Sequence, residues 1–267
     1  MNGKNLYDQI IEQAINLGAS FAGIARVDAL KYSPSHFVFG KLDRFNGVGT
    51  KNSGRVDPGL IAWPDNAESA VVVGLAHPES KPEMDWWQDG VRGGTIGNRI
   101  LMDINIGLAN WIEQETRYKT YKLPYHIENG GIFLKDAAVM AGLGCIGKNN
   151  LLVTSAYGPR VRLRAILLDA KLPASAAMEF DPCNGCDMPC RTICPQAAFQ
   201  KKVYRNDKLR LDELPGRSGV YARLLCNGQM EVDTENCEII AISDHPKVGK
   251  IIKYCRLCEF ACPVGKK

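Results

Sequence analysis

Two cysteine-rich runs near the carboxyl end hold the residues best suited to do chemistry. DPCNGCDMPCRTICP supplies Cys183, Cys186, Cys190 and Cys194 followed by Pro195, and KYCRLCEFACPVG supplies Cys255, Cys258 and Cys262 followed by Pro263. Thiolates are soft donors that suit iron. Three close cysteines and a further one ending in Cys-Pro are how ferredoxin-like segments wrap a pair of [4Fe-4S] clusters, the last cysteine crossing to the other cluster. That crossing rule assigns Cys183, Cys186, Cys190 and Cys262 to one cluster. It assigns Cys194, Cys255 and Cys258 to the other, with Cys226 and Cys237 competing for the eighth place. The first run has three residues in its second gap where bacterial ferredoxins have about two, an insertion that a bulge at Met188–Pro189 would absorb. Zinc is the alternative, since it also takes four cysteines in Cys-x-x-Cys pairs. Two zinc sites would more usually use separate pairs, so the triplets favour iron–sulfur.

Nine of the ten cysteines lie after residue 180. A reducing compartment keeps thiols from pairing and leaves them for metal or redox use. The asymmetry places a boundary near Leu172–Pro182, dividing the chain into an α+β domain over 1–175 and a cluster domain over 176–267. The 33 basic and 29 acidic side chains, net +4, are too even to imply a nucleic-acid or membrane surface by themselves. No run approaches the roughly 18 apolar residues of a membrane span, and MNGKNLYDQII lacks the apolar region of a signal peptide. The expected location is cytoplasmic.

The elements that must position these residues are legible as periodicity. LYDQIIEQAINLG predicts an amphipathic helix closed by Gly18, FAGIARV a strand, and SAVVVGLA, Ser69 to Ala76, a buried strand. NRILMDINIGLANWIEQE predicts a long helix with Trp111 in the core, and a further helix covers about Ile132 to Ala141. NNLLVTS and VRLRAILLDAKL predict strands, the second with Arg160, Arg162 and Arg164 on an outward face. Residues 30–66 predict irregular loops, and the environment of Trp86 and Trp87 stays open. The mixture implies an α+β sandwich with helices against one sheet.

GLGCIGKNN, Gly142 to Asn150, can be written as a dinucleotide fingerprint or a degenerate phosphate loop. A Rossmann fingerprint follows a strand and opens a helix, whereas here the glycines follow a helix and lead into a strand. Gly142 is therefore expected as a helix C-cap with positive φ, in a tight corner whose backbone approaches something closely. Lys148 could contact an anion there.

NAESAVVVGLAHP, YHIENGGIFLKDAAVMAGLGCIGKNNLLVTSAYGPRVRLRAILLDAKL and the two cysteine runs together resemble the epoxyqueuosine reductase family and its reductive dehalogenase relatives, over most of the chain. The resemblance implies a cobalamin-binding domain of nitroreductase-like α+β fold followed by a ferredoxin-like 2[4Fe-4S] domain that reduces the cobalt. It selects Cys226, in CNGQM, as the eighth ligand. It implies a proton-donating carboxylate at Glu128, where the family has Asp, with Tyr125 and His126 as further donors. The candidate cofactor-binding residues are Gly142, Gly144, Cys145, Gly147, Lys148, Asn149, Tyr157, Gly158 and Arg160, although Cys145 by default is a buried bystander thiol. FMN in place of cobalamin is a second reading on the same fold. The tRNA-modifying members continue past the second cluster into a helical-repeat extension, while here Lys267 comes five residues after Cys262. The expected substrate is thus a small molecule or modified base, and tRNA is disfavoured. KKVYRNDKLR and RVRLR are read as solvated basic faces.

A competing function of another class is an electron carrier that reduces a partner protein's corrinoid or metal. Either way a ferredoxin or flavodoxin is the expected electron donor, and a homodimer is possible. His36, His77 and His245 read as isolated, and DHPKVG does not have the spacing of a base-off corrinoid motif.

Overall fold

The computed structural model describes residues 5–39, 63–127, 130–200, 220–241 and 248–266. Its centre is a strand that is apolar on both sides, β2 (Ser69–Ala76), buried from Ser69 to Leu75. Only a central strand covered on both faces can carry such a run. β1 (Phe21–Arg26) and β7 (Val161–Leu168) flank it, and β4 (Thr120–Lys122) lies outside β7, giving the order β1-β2-β7-β4 with every pairing antiparallel.

Successive strand side chains point to opposite faces, and two cores result. Val71, Val73, Ile166 and Leu168 meet Ile10 and Ala14 of α1 (Leu6–Asn16) and Leu101, Ile104, Leu108 and Ile112 of α4 (Ile96–Glu115). Ala70, Val72, Leu163 and Leu167 meet Val27 and Leu30 of α2 (Val27–Leu30) and Ala137 and Ala138 of α5 (Leu134–Met140). Helices thus cover both faces of the one sheet, and the short α5 completes the second layer. The helices α1 and α4 are each capped by a side-chain acceptor. Asn5 Oδ1 accepts from the Asp8 N–H at 2.9 Å and Thr95 Oγ1 from the Asn98 N–H at 3.1 Å, each cap worth ~1 kcal/mol. Leu108 is fully buried, and its truncation to Ala would cost about 2–5 kcal/mol.

Within 30–66, expected to be irregular, Pro34–Phe39 forms the helix α3; residues 40–62 lie outside the described residues. A buried carboxylate fixes α3. Asp136 accepts from Ser33 Oγ, Ser35 N–H and Ser35 Oγ at 2.6–2.9 Å. His36, read as isolated, joins the same network through Ser33 Oγ at 2.8 Å and the Phe133 N–H at 3.3 Å. Trp111 packs against the first core. The strand expected over NNLLVTS is reduced to β6 (Leu152–Val153), paired with β5 (Cys145–Ile146).

The carboxyl-terminal part is built from α6 (Pro189–Thr192), α7 (Arg223–Glu235), β8 (Glu238–Ala241), β9 (Val248–Ile252) and α8 (Leu257–Phe260). Its sheet has the order β3-β9-β8, and β3 (Trp87–Gln88) comes from the first part of the chain. Trp87 therefore sits on the edge strand of this second sheet, while Lys253 lies 4.5 Å over the Trp86 ring. Across the boundary, Ser175 Oγ accepts from the Ile24 N–H at 2.9 Å and bonds Tyr7 OH at 2.7 Å, pinning the linker to β1. Among the described residues no helix is long and apolar enough to cross a membrane.

Candidate metal centre

The extra residue of the first cysteine run is accommodated at Met188, which is left-handed with φ 54° and caps the short α6. That reversal leaves Cys183, Cys186 and Cys190 curled around one region, and the second run delivers Cys262 to it. The Cys190 thiol is pushed up to about 11 by burial and then by the like charges of Cys262, Cys183 and Cys186. Cys262 is raised by burial, Cys183 and Cys186, with the Val264 N–H and Arg160 opposing. A second group forms beside it. Cys255 is raised by burial, then by Asp233, Cys226 and Cys194, and Cys258 is pushed up to about 12 by burial, then by Glu259, Cys255, Cys226 and Cys190.

The helix α7 supplies Cys226 to the second group and is tied to both cysteine runs. Gln196 Nε2 donates to Gln229 Oε1 at 3.0 Å, Gln229 Nε2 to Asp233 Oδ1 at 2.9 Å, and the Cys255 N–H to Asp233 Oδ2 at 2.7 Å. Among the described residues no three His, Cys, Asp or Glu side chains are placed to hold one metal ion. Thiolates are soft donors of the kind that hold iron–sulfur clusters.

The glycine corner lies against the first group. Gly142 ends α5 with φ 69°, its N–H on Val139 O and the Leu143 N–H on Ala138 O, a Schellman closure. The close approach expected of the corner is threefold. A Cβ on Gly142 would stand 2.1 Å from Ala176 O, one on Gly144 2.2 Å from Val153 O, and one on Gly147 2.6 Å from Val153 Cγ2. The Lys148 N–H donates to Cys183 Sγ at 3.4 Å, and Lys148 O accepts from Arg191 Nε at 2.7 Å. Asn149, nearly fully buried, donates through Nδ2 to Cys258 O at 3.3 Å. Cys145 is buried, its thiol pushed up to about 12 by burial and then by Cys183 and Asp181.

Arg160 and Arg162 depart from the expected solvated face. Arg160 is buried and donates to the carbonyls of Glu259 and Cys262, each at 3.2 Å, and of Val264. Arg162 reaches Asp85 at 2.9 Å and Glu259. The strand alternation set their side correctly; what covers that side is the second cysteine run, which periodicity within β7 cannot reveal. Tyr157 stacks on Phe21 with centroids 6.0 Å apart. A Cβ on Gly158 would meet Val264 O at 2.0 Å, so this turn interlocks with the residues after Cys262. Nine candidate cofactor-binding residues thus lie in or beside the seam between the sheet and the cysteine runs. Tyr125 and His126 are elsewhere: they form an edge-on pair 5.1 Å apart, and Arg164 lies 5.3 Å over the Tyr125 ring. Glu128 lies outside the described residues, as do KKVYRNDKLR and His245.

No local pattern along the chain singles out His77, Asp85, Arg256 or Glu259. His77, read as isolated, is fully buried with Nδ1 2.9 Å from Asp85 Oδ2. Burial would raise the Asp85 carboxyl, but the His77 hydrogen bond and the charges of Arg162 and Arg256 hold it below its usual range. Burial likewise works against the Arg162 cation, and Glu259 and Asp85 more than offset it.

Fold and site together define a mixed α/β protein in which hydrogen bonds and ion pairs hold the second cysteine run against the antiparallel sheet and the glycine corner. No protein-family model matches the chain. Curated proteins similar to it are epoxyqueuosine reductases: that of Lactococcus garvieae is 24% identical over 98% of this chain and 70% of its own length, and that of Gloeobacter violaceus 28% identical over 96% and 75%. The Pseudomonas aeruginosa protein, 28% identical, matches 51% of this chain and 33% of its own. Among solved structures, the epoxyqueuosine reductase of Streptococcus thermophilus superposes with a TM-score of 0.59 at 20% identity, covering 99% of this chain and 67% of that one. A catabolic reductive dehalogenase superposes with a TM-score of 0.61 at 18% identity, covering 97% and 31%. The chain is similar in sequence to the epoxyqueuosine reductases and shares its fold with them and with the reductive dehalogenases.

Proposed function

We propose that this chain is an iron–sulfur oxidoreductase of the epoxyqueuosine reductase kind, a nitroreductase-like α/β part to about residue 175 followed by a ferredoxin-like part holding two [4Fe-4S] clusters. The observation that carries the reading is the grouping of thiols, with Cys262 among Cys183, Cys186 and Cys190, and Cys194 and Cys226 among Cys255 and Cys258. When bound, the clusters supply low-potential single electrons and a corrinoid a strongly reducing metal.

The chain's own residues hold, orient and protonate. Eight thiolates would hold the iron, and binding would release their protons, the more so because burial and mutual repulsion raise several of these thiols in the metal-free protein. N–H groups of Lys148, Met188 and Ala198, each 3.4 Å from the sulfurs of Cys183, Cys186 and Cys194, stabilise negative charge there. Arg160 and Asn149 fix the second run against the sheet, which would hold the first cluster beside the glycine corner. Tyr125, 39% exposed, and His126 offer donors beside the segment carrying Glu128, at which a small molecule or modified base would be protonated. A related epoxyqueuosine reductase has been solved with a tRNA stem loop, and a related dehalogenase structure concerns B12-dependent dehalogenation. In this chain the RVRLR guanidinium groups of Arg160 and Arg162 turn inward to the second cysteine run, which supports a substrate smaller than tRNA.

Anaerobic reconstitution with iron and sulfide should give about eight irons per chain and a brown protein that titrates with cobalamin. Glu128→Gln should abolish turnover with iron and cofactor content unchanged. A colourless chain that holds zinc defeats the proposal.

A further inference from the structure

A lattice of charge underlies the second cysteine run. Asp85, at the end of the 3-10 turn Pro82–Asp85, lies 2.9 Å from His77 Nδ1, 2.9 Å from Arg162 Nε and 2.6 Å from Arg256 Nη1. Glu259 pairs with Arg162 and with Arg256 Nε, and Arg256 Nη2 donates to His77 O at 3.0 Å. Apart from Arg162, at 27%, these side chains are at most 9% exposed. Four chain segments contribute, and two guanidinium groups balance two carboxylates.

The placement matters because Arg256 stands between Cys255 and Cys258, and Glu259 directly follows Cys258. Asp85, Arg256 and Cys255 also line one cavity of about 380 Å³, with Trp86, Tyr254 and Phe260. Charge that close to a thiolate cluster acts on its electron affinity, in a wall too dry to screen it. Glu259 alone would oppose adding an electron. The two arginines offset it, and Asp85 both anchors them and cancels part of their charge.

We propose that Asp85 and Arg256 are positioning residues for the second cysteine group: they fix the net charge beside Cys255 and Cys258 and thereby set the potential at which the cluster there takes up an electron. The inference rests on the iron–sulfur reading. It predicts opposite signs for two substitutions. Asp85→Asn leaves excess positive charge and makes reduction easier; Arg256→Gln leaves excess negative charge and makes it harder. A lattice that merely braced the fold would move both in one direction or leave both potentials alone.

The test uses the full chain, reconstituted without oxygen, as wild type, Asp85→Asn, Arg256→Gln and Arg162→Gln. Iron and sulfide are measured first, then the potential of each cluster by dithionite titration followed by electron paramagnetic resonance. The expected result is a change on the order of tenfold in the reduction constant, 59 mV for one electron, upward for Asp85→Asn and downward for the two arginine variants, with the first group moving less. Equal potentials, or shifts of one sign, at full iron content overturn the inference. If Arg256→Gln loses iron, Asp85→Asn decides alone: an upward shift supports the proposal and an unmoved potential ends it. A wild type without iron defeats the iron–sulfur reading instead.

Discussion

Arg160→Ala should loosen the first cysteine group without touching any of its ligands. The guanidinium is buried and donates to the carbonyls of Glu259, Cys262 and Val264. A hydrogen bond from a charged group is worth about 1.5–3 kcal/mol. Three of them do not add fully, because water can reach the carbonyls once the seam parts, so a net cost of about 3 kcal/mol is a fair estimate. At 1.36 kcal/mol per tenfold, that is roughly a hundredfold rise in local opening. Cys262 travels with the freed segment, and the iron it helps to hold should go first. The assay is iron release to a chelator from the reconstituted protein, with resonance spectra reporting which cluster fades. Arg160→Lys keeps the charge but not the planar fork and should fall between. If Arg160→Ala holds its iron as long as wild type, the latch contributes nothing and the account of the seam is wrong.

Cys226→Ala should lose about half the iron, one cluster of two, while Cys237→Ala should keep full iron content; iron analysis of the two variants decides, and the reverse pattern would reassign the eighth ligand. Gly97→Ala would put its Cβ 2.1 Å from the His77 ring, an overpacking that costs about 1–3 kcal/mol, read as a fall in thermal midpoint; an unchanged midpoint would mean the ring is free to move. The Cys145 thiol is pushed up from 9.0 to about 12, so its contribution to stability is present below pH 9 and is lost as pH rises towards 12. Chemical unfolding of the metal-free chain should therefore show stability falling over that window, less steeply in Cys145→Ala, and at pH 8 Cys145 should resist alkylation in the folded protein.

Much of the frame was legible because its signals are local. β2 needed only a run of small and branched apolar residues, α4 only its 3.6-residue period, and Gly142 only its place after a helix. The cysteine runs are read in the same local way, and the ligation proposed for them rests on that spacing. Local signals failed where the partner is distant. The alternation of β7 gave the side on which Arg160 and Arg162 lie, but a guanidinium facing water and one facing a carbonyl about a hundred residues away have the same neighbours in sequence. α3 and the His36 network were hidden likewise, because their organising carboxylate, Asp136, comes from another helix.

From its residues alone the chain determined which donors it offers: soft thiols in number, at close spacings, and a two-sided strand able to carry the frame around them. Tertiary structure decided how that chemistry is held. Asp85 has no neighbour in sequence that explains it, and only folding brings it under Arg162 and Arg256. Buried charge is costly unless it is matched, and the match is made between segments that meet only when the sheet and the cysteine runs close on one another.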